Sequence, residues 1–206
     1  MLFLRYLQQA DQAVRNGGTS AGLCGREIRS KKVGIIGCGQ IGFMTAKLFQ
    51  AFGAEVYAYA RHEREEVKAA GIAYKPLDDL LRECDIISLH TPNNKETRGM
   101  ISAEKIALMK KSAIFINCAR GPIVDSKALA QALNEGRIAG AAVDVFDCEP
   151  PIPAEEPLLH AKNTLLTPHV AFLSEEAMVR RAKIEFSNVY DYLDGKPENV
   201  CALLCG

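Results

Sequence analysis

The segment Gly37-Cys38-Gly39-Gln40-Ile41-Gly42 follows the apolar run 33–36 and heads a helical pattern, and it constrains this chain more than any other feature. Each glycine has a separate reason to be there. The first permits a tight turn, and the second lets backbone approach a pyrophosphate. The third lets the helix pack closely on its strand, with the helix N-terminus aimed at the phosphates. Glycine-rich turns are common, so the surrounding strand–turn–helix–strand pattern carries the inference. Residues 33–36, 54–60, 85–89, 113–116, 138–145 and 163–166 read as strands. Residues 43–52, 77–82, 103–109 and 126–134 read as the helices between them, and Gly53 and Gly136 stand where two of these should stop. Continuous apolar strands alternating with helices imply an α/β fold with a doubly wound parallel sheet, covered on both faces.

The two ends read differently. Phe3, Leu7, Ala10 and Val14 recur at helical spacing before Asn16-Gly17-Gly18, and Met178, Ala182, Phe186, Val189 and Leu193 recur in the same way. Each end is expected to be an amphipathic helix whose stripe needs a partner, and a homodimer is one way to supply it. The expected organisation is a helix and linker over 1–27, a dinucleotide-binding domain over 28–173 and a C-terminal helix over 174–206. Lys plus Arg and Asp plus Glu both total 25, and this balance speaks against a nucleic-acid or membrane-surface partner. No apolar run approaches the roughly 18 residues of a membrane span, and Arg5 breaks the opening Met1-Leu2-Phe3-Leu4 too early for a signal peptide. The 7 cysteines include no Cys-x-x-Cys and no metal-ligand rhythm, which is read as a reduced, cytoplasmic compartment with no metal site.

The second strand offers a clue to the dinucleotide. A carboxylate closing it would accept bonds from the ribose hydroxyls of NAD. The chain has Ala60 there, followed by Arg61, His62 and Arg64. Without the carboxylate a 2′-phosphate is not repelled, and an arginine offers it a forked donor, which favours NADP. The alternative is a solvated helix start, screened by Glu63, Glu65 and Glu66.

Three later strands run into polar segments, at the strand ends where open α/β folds bind ligands. These are Asn117-Cys118-Ala119-Arg120-Gly121, Asp144-Val145-Phe146-Asp147-Cys148-Glu149-Pro150 and Thr167-Pro168-His169. An arginine, a glutamate and a histidine at such positions suit reduction of a 2-oxo acid. Arginine can grip a carboxylate through two bonds and polarise the adjacent carbonyl, and histidine can exchange a proton near neutral pH. Taken singly, Arg120 reads equally as an ion-pair partner, Glu149 as a loop charge and His169 as a packing residue. Nothing pairs Cys118 or Cys148 with a base, so neither reads as a nucleophile.

Together with the glycine segment and Ser88-Leu89-His90-Thr91-Pro92, these motifs resemble the D-isomer-specific 2-hydroxyacid dehydrogenases, in order and spacing over 34–175. The resemblance implies a Rossmann-type sheet, NAD or NADP as cofactor, and hydride transfer at C2 of a small D-2-hydroxy or 2-oxo acid such as hydroxypyruvate, glyoxylate or a phosphoglycerate-like compound. It implies Arg120 as the carboxylate-binding residue, His169 as the acid or base and Glu149 as its partner. Gly37, Gly39, Gln40, Ile41, Gly42 and Arg61 would hold the phosphates and ribose, with Thr91, Cys118 and Asp144 on the nicotinamide side. Two departures stand out. Ala60 replaces the acidic residue, and the sequence begins inside the family's interdomain helix, so the N-terminal substrate-binding half is expected to be absent and the chain alone to be a poor catalyst. The other reading is a non-catalytic dinucleotide-binding module, like the family's corepressor relatives.

Overall fold

In the computed structural model, which describes residues 1–148 and 151–200, the strand pattern resolves into one parallel sheet. Its strands are β1 (Lys32–Ile36), β2 (Glu55–Tyr59), β3 (Ala73–Tyr74), β4 (Ile86–Leu89), β5 (Ile114–Asn117), β6 (Gly140–Val143) and β7 (Thr164–Leu166). They pair entirely in parallel, in the order β3-β2-β1-β4-β5-β6-β7. The helices are α1 (Leu2–Arg5), α2 (Leu7–Arg15), α3 (Gln40–Ala51), α4 (Glu65–Ala69), α5 (Leu77–Glu83), α6 (Ala103–Ala107), α7 (Ser126–Asn134) and α8 (Glu175–Leu193). One compact unit spans Met1–Pro168, and a second begins at His169.

Strand residues point alternately to the two faces of a sheet, and the core divides accordingly. Val33, Ile35, Ile86 and Ile114 join Leu4, Ala46 and Val67 in one buried cluster. Their neighbours Ile36, Ile87 and Phe115 join Leu80, Leu81, Ile106 and Leu129 in the other. Full burial of each large apolar side chain contributes about 1.5–3 kcal/mol, and continuous apolar strands are what two covered faces require. Helix α7 has the expected bounds for a local reason. The Ala128 N–H donates to the Asp125 carboxylate at 2.9 Å, capping the start, and Gly136 takes a left-handed φ of 64° just past the end.

The N-terminal expectation needs correction. A single helix over 1–14 does not form, because Tyr6 adopts a left-handed φ of 49° and separates α1 from α2. The Leu4 carbonyl, which a continuous helix would pair with the Gln8 N–H, instead accepts from the Arg26 N–H at 2.7 Å. Leu4 is buried while Leu7 and Val14 are exposed, so the stripe is split. The run 138–145 is also shorter as a strand, since the chain leaves the sheet after Val143. In the second unit α8 starts at a capped serine, with the Ala177 N–H donating to Ser174 Oγ at 3.2 Å. Its Phe186, Val189 and Leu193 are exposed.

Candidate functional site

The strand order reverses between β1 and β4, and in an open α/β sheet the chains leaving two such strands diverge and open a crevice at their carboxyl ends. The glycine segment lies here. Gly37 leaves β1 with φ 92°, and a Cβ on it would stand 2.7 Å from both the His90 carbonyl carbon and the Thr91 nitrogen. The turn is therefore pressed against the chain leaving β4. A Cβ on Gly42 would lie 2.1 Å from the Gly37 oxygen, so this glycine is required for α3 to pack on β1.

Gly39 is different. Its φ of −73° suits any residue, and a Cβ there would meet nothing within 4 Å. The protein's own packing does not call for glycine at this position, whereas a ligand approaching the backbone would. Gly39 is the N-cap of α3 and no side chain caps that helix, so the first-turn amides beginning at Gln40 and Ile41 face outward for an anion. Thr91 adds an independent sign. Its Oγ1 is buried and has no hydrogen-bond partner among the described residues. A buried unpaired hydroxyl costs about 1–3 kcal/mol, and a polar ligand atom would remove that cost. These features fit a dinucleotide.

The ends of β5, β6 and β7 are tied together beside it. Buried Asp144 donates its N–H to the Asn117 carbonyl at 2.9 Å and accepts at its carboxylate from the Thr167 hydroxyl. Asn117 shapes the turn that carries Arg120, because its Nδ2 donates to the Arg120 carbonyl at 3.1 Å and its Oδ1 accepts from the Ala119 N–H at 3.0 Å. The Arg120 guanidinium donates to the Ala119 carbonyl at 2.6 Å, and Arg120 and Cys118 are both exposed. A Cβ on Gly121 would lie 2.1 Å from the Phe146 carbonyl carbon, which seats this turn on the chain after β6. Asn117 and Thr167 as supports were not evident from sequence, since their partners lie across strands. Glu149 lies outside the described residues.

His169 belongs to the second unit. It holds a left-handed φ of 55°, uncommon for a residue with a Cβ and costing about 1 kcal/mol. Its ring meets Phe172 edge to face, with centroids 5.5 Å apart. Back in the first unit, Arg61 follows β2 closely. Its Nη1 forms an ion pair with Glu96, and its Nε donates to His62 Nε2 at 3.2 Å. Arg64 pairs with Glu66 at the start of α4, so the solvated-helix-start reading describes Arg64.

His90 bears on stability. Nε2 and Ser88 Oγ lie 2.9 Å apart, and burial holds the imidazole below its ordinary pKa. The unfolded chain therefore takes up a proton at a pH where the folded chain does not. Stability is expected to fall as pH drops below about 6.5, by at most about 1.4 kcal/mol per pH unit. Glu83 is held low by bonds from Lys75 and Lys32, so its contribution is lost only in the more acidic range. Urea unfolding from pH 7.5 to 5.5 checks this, and His90→Asn should flatten the slope.

Comparison with known proteins gives consistent matches. Residues 1–171 match the family model described as D-isomer specific 2-hydroxyacid dehydrogenase, NAD binding domain. A glyoxylate reductase of Aeropyrum pernix is 42% identical over 189 residues, covering 91% of this chain and 56% of the relative. Among solved structures, a D-lactate dehydrogenase from Aquifex aeolicus complexed with NAD and lactic acid superposes with a TM-score of 0.88 at 32% identity, covering 95% of this chain and 63% of that one. An acyclic imino acid reductase in complex with NADPH and D-Arg also gives 0.88 at 32% identity, covering 98% of this chain and 64% of that one. The chain thus spans between about half and two thirds of the length of these three proteins.

Proposed function

Because the chain belongs to the D-isomer-specific 2-hydroxyacid dehydrogenase family, we propose that it forms the nicotinamide-dinucleotide-binding part of an oxidoreductase acting on a small 2-hydroxy or 2-oxo acid, of the hydroxypyruvate, glyoxylate or phosphoglycerate type. The observation that carries the dinucleotide reading is the open space at Gly39, in front of an uncapped helix, together with the orphaned hydroxyl of Thr91, whose backbone lies against Gly37 in the same turn. When bound, the nicotinamide supplies the hydride exchanged with C2 of the acid. The amides of Gln40 and Ile41 hold the pyrophosphate, and Thr91, Cys118 and Asp144 line the nicotinamide and ribose side. Arg120 grips the carboxylate through a planar two-bond contact and polarises the neighbouring carbonyl. His169 delivers or removes the proton at the 2-oxygen, with Glu149 as the partner that the family resemblance implies. A homodimer belongs to the same reading, supported by the exposed apolar residues Ile41, Met44 and Leu48 along α3 and Phe52 at its end.

NADP is the proposed dinucleotide, on the strength of Ala60 and Arg61. A charge-assisted contact to the 2′-phosphate contributes about 1.5–3 kcal/mol, which is tenfold or more in affinity. Arg61→Ala is therefore expected to weaken NADPH by that factor and leave NADH almost untouched, while Ala60→Asp shifts preference towards NADH. Fluorescence titration with both dinucleotides checks this, and equal affinities in the parent protein would refute the preference. Steady-state assays with glyoxylate and hydroxypyruvate, on a protein that joins this chain to a substrate-binding half, test the reaction itself, and the absence of hydride transfer to every 2-oxo acid there would leave only a binding module.

A further inference from the structure

Arg61 sits two positions beyond β2, where this kind of fold recognises the adenosine ribose of a dinucleotide. Its guanidinium is already engaged by a carboxylate from elsewhere in the chain, because Glu96 lies in the segment leaving β4. That segment is firmly built. The Glu96 and Thr97 N–H groups both donate to Asn94 Oδ1, at 2.9 and 3.0 Å, and the Thr97 hydroxyl donates to the Pro92 carbonyl at 2.6 Å. Both partners of the ion pair are 65% exposed, so the pair itself contributes little to stability. Its consequence lies in what else the guanidinium can hold.

We propose that Glu96 limits the preference for NADPH by competing with a 2′-phosphate for Arg61. This rests on the reading of Arg61 as the phosphate ligand. A phosphomonoester carries about −1.5 to −2 charges near neutral pH, and seating it on Arg61 brings it close to the Glu96 carboxylate. NADPH must then displace that carboxylate or tolerate it as a like charge. NADH presents a neutral hydroxyl at the same position and meets no such conflict. Glu96 therefore narrows the advantage that Arg61 gives to NADPH.

The test is fluorescence titration of the chain with NADPH and with NADH, for the parent, Glu96→Gln, Arg61→Ala and the double variant. Glu96→Gln is expected to tighten NADPH by about two- to fivefold, as removal of a like charge near an exposed site does. NADH should stay unchanged. The gain should vanish in the Arg61→Ala background and shrink at high salt. Glu96→Ala should reproduce it, which separates charge from any effect of the new amide. If Arg61→Ala weakens NADPH but Glu96→Gln does not tighten it, the competition is overturned and the role of Arg61 stands. If Arg61→Ala leaves NADPH unchanged, both fall. A loss of NADH affinity in Glu96→Gln also overturns the proposal, because Glu96 would then be holding the ribose hydroxyls.

Discussion

Gly39→Asp is expected to lower dinucleotide affinity by about 100-fold or more while leaving the melting temperature unchanged or slightly raised. The two effects have opposite signs for one reason. The space at Gly39 is empty of protein atoms within 4 Å and its backbone is ordinary, so a side chain there disturbs nothing in the fold. Aspartate is a better N-cap than glycine by a few tenths of a kcal/mol, and its charge favours the positive end of α3. That same charge would occupy the place of the pyrophosphate and repel it. Thermal denaturation together with NADPH titration gives both readings. Retained affinity would show that no phosphate approaches this backbone, and a large loss of stability would show that the space is not free.

In the catalytically competent protein, His169→Ala is expected to lower kcat by about 10²–10⁴-fold, the range of a lost general acid–base group. Dinucleotide affinity should hardly move, since the imidazole acts on the proton of the 2-oxo acid. Arg120→Lys should act differently, raising KM for the acid by about tenfold or more as well as lowering kcat, because a point charge cannot replace a planar two-bond grip that also polarises the carbonyl. The Asn117 bonds that shape its turn remain in that variant, so the loss reports the guanidinium and not a displaced loop. Steady-state kinetics with glyoxylate separates kcat from KM for both variants, and parental rates in either would remove that residue from the mechanism.

Much of this was legible in the sequence where the cause is local. The stop of helix α7 could be read because Gly136 itself marks it, and the structure adds the Asp125 cap at its start. The glycine segment could be read because three different steric demands fall at fixed spacing on one turn. What could not be read has its cause far along the chain. Tyr6 breaks the first helix because Arg26 claims the Leu4 carbonyl, and no glycine or proline marks the place. Strand β3 is the two residues Ala73–Tyr74, too short for any alternation to show, and exists because it can pair with Tyr57 and Ala58. Nothing in the sequence singled out Glu96, which the fold brings to Arg61. Sequence pattern suggested which residues stand at strand ends, but it could not say which of them already hold one another.

The close fit of Gly37 against His90 and Thr91 also fixes when this chain can acquire its ligand. Pairing of Val33 with Ile86 spans a long stretch of polypeptide, and the ribosome delivers β1 and its turn well before β4. Until His90 and Thr91 emerge, the crevice has one wall. A nascent chain, or an intermediate in which β4 has yet to dock, is therefore expected to hold dinucleotide more weakly than the finished fold. Parallel sheets of such long-range pairings fold slowly, and the ligand rewards the finished product most. At 100 times its Kd, dinucleotide adds about 2.7 kcal/mol to the native state, which holds a newly completed molecule closed against proteases that cleave the open form.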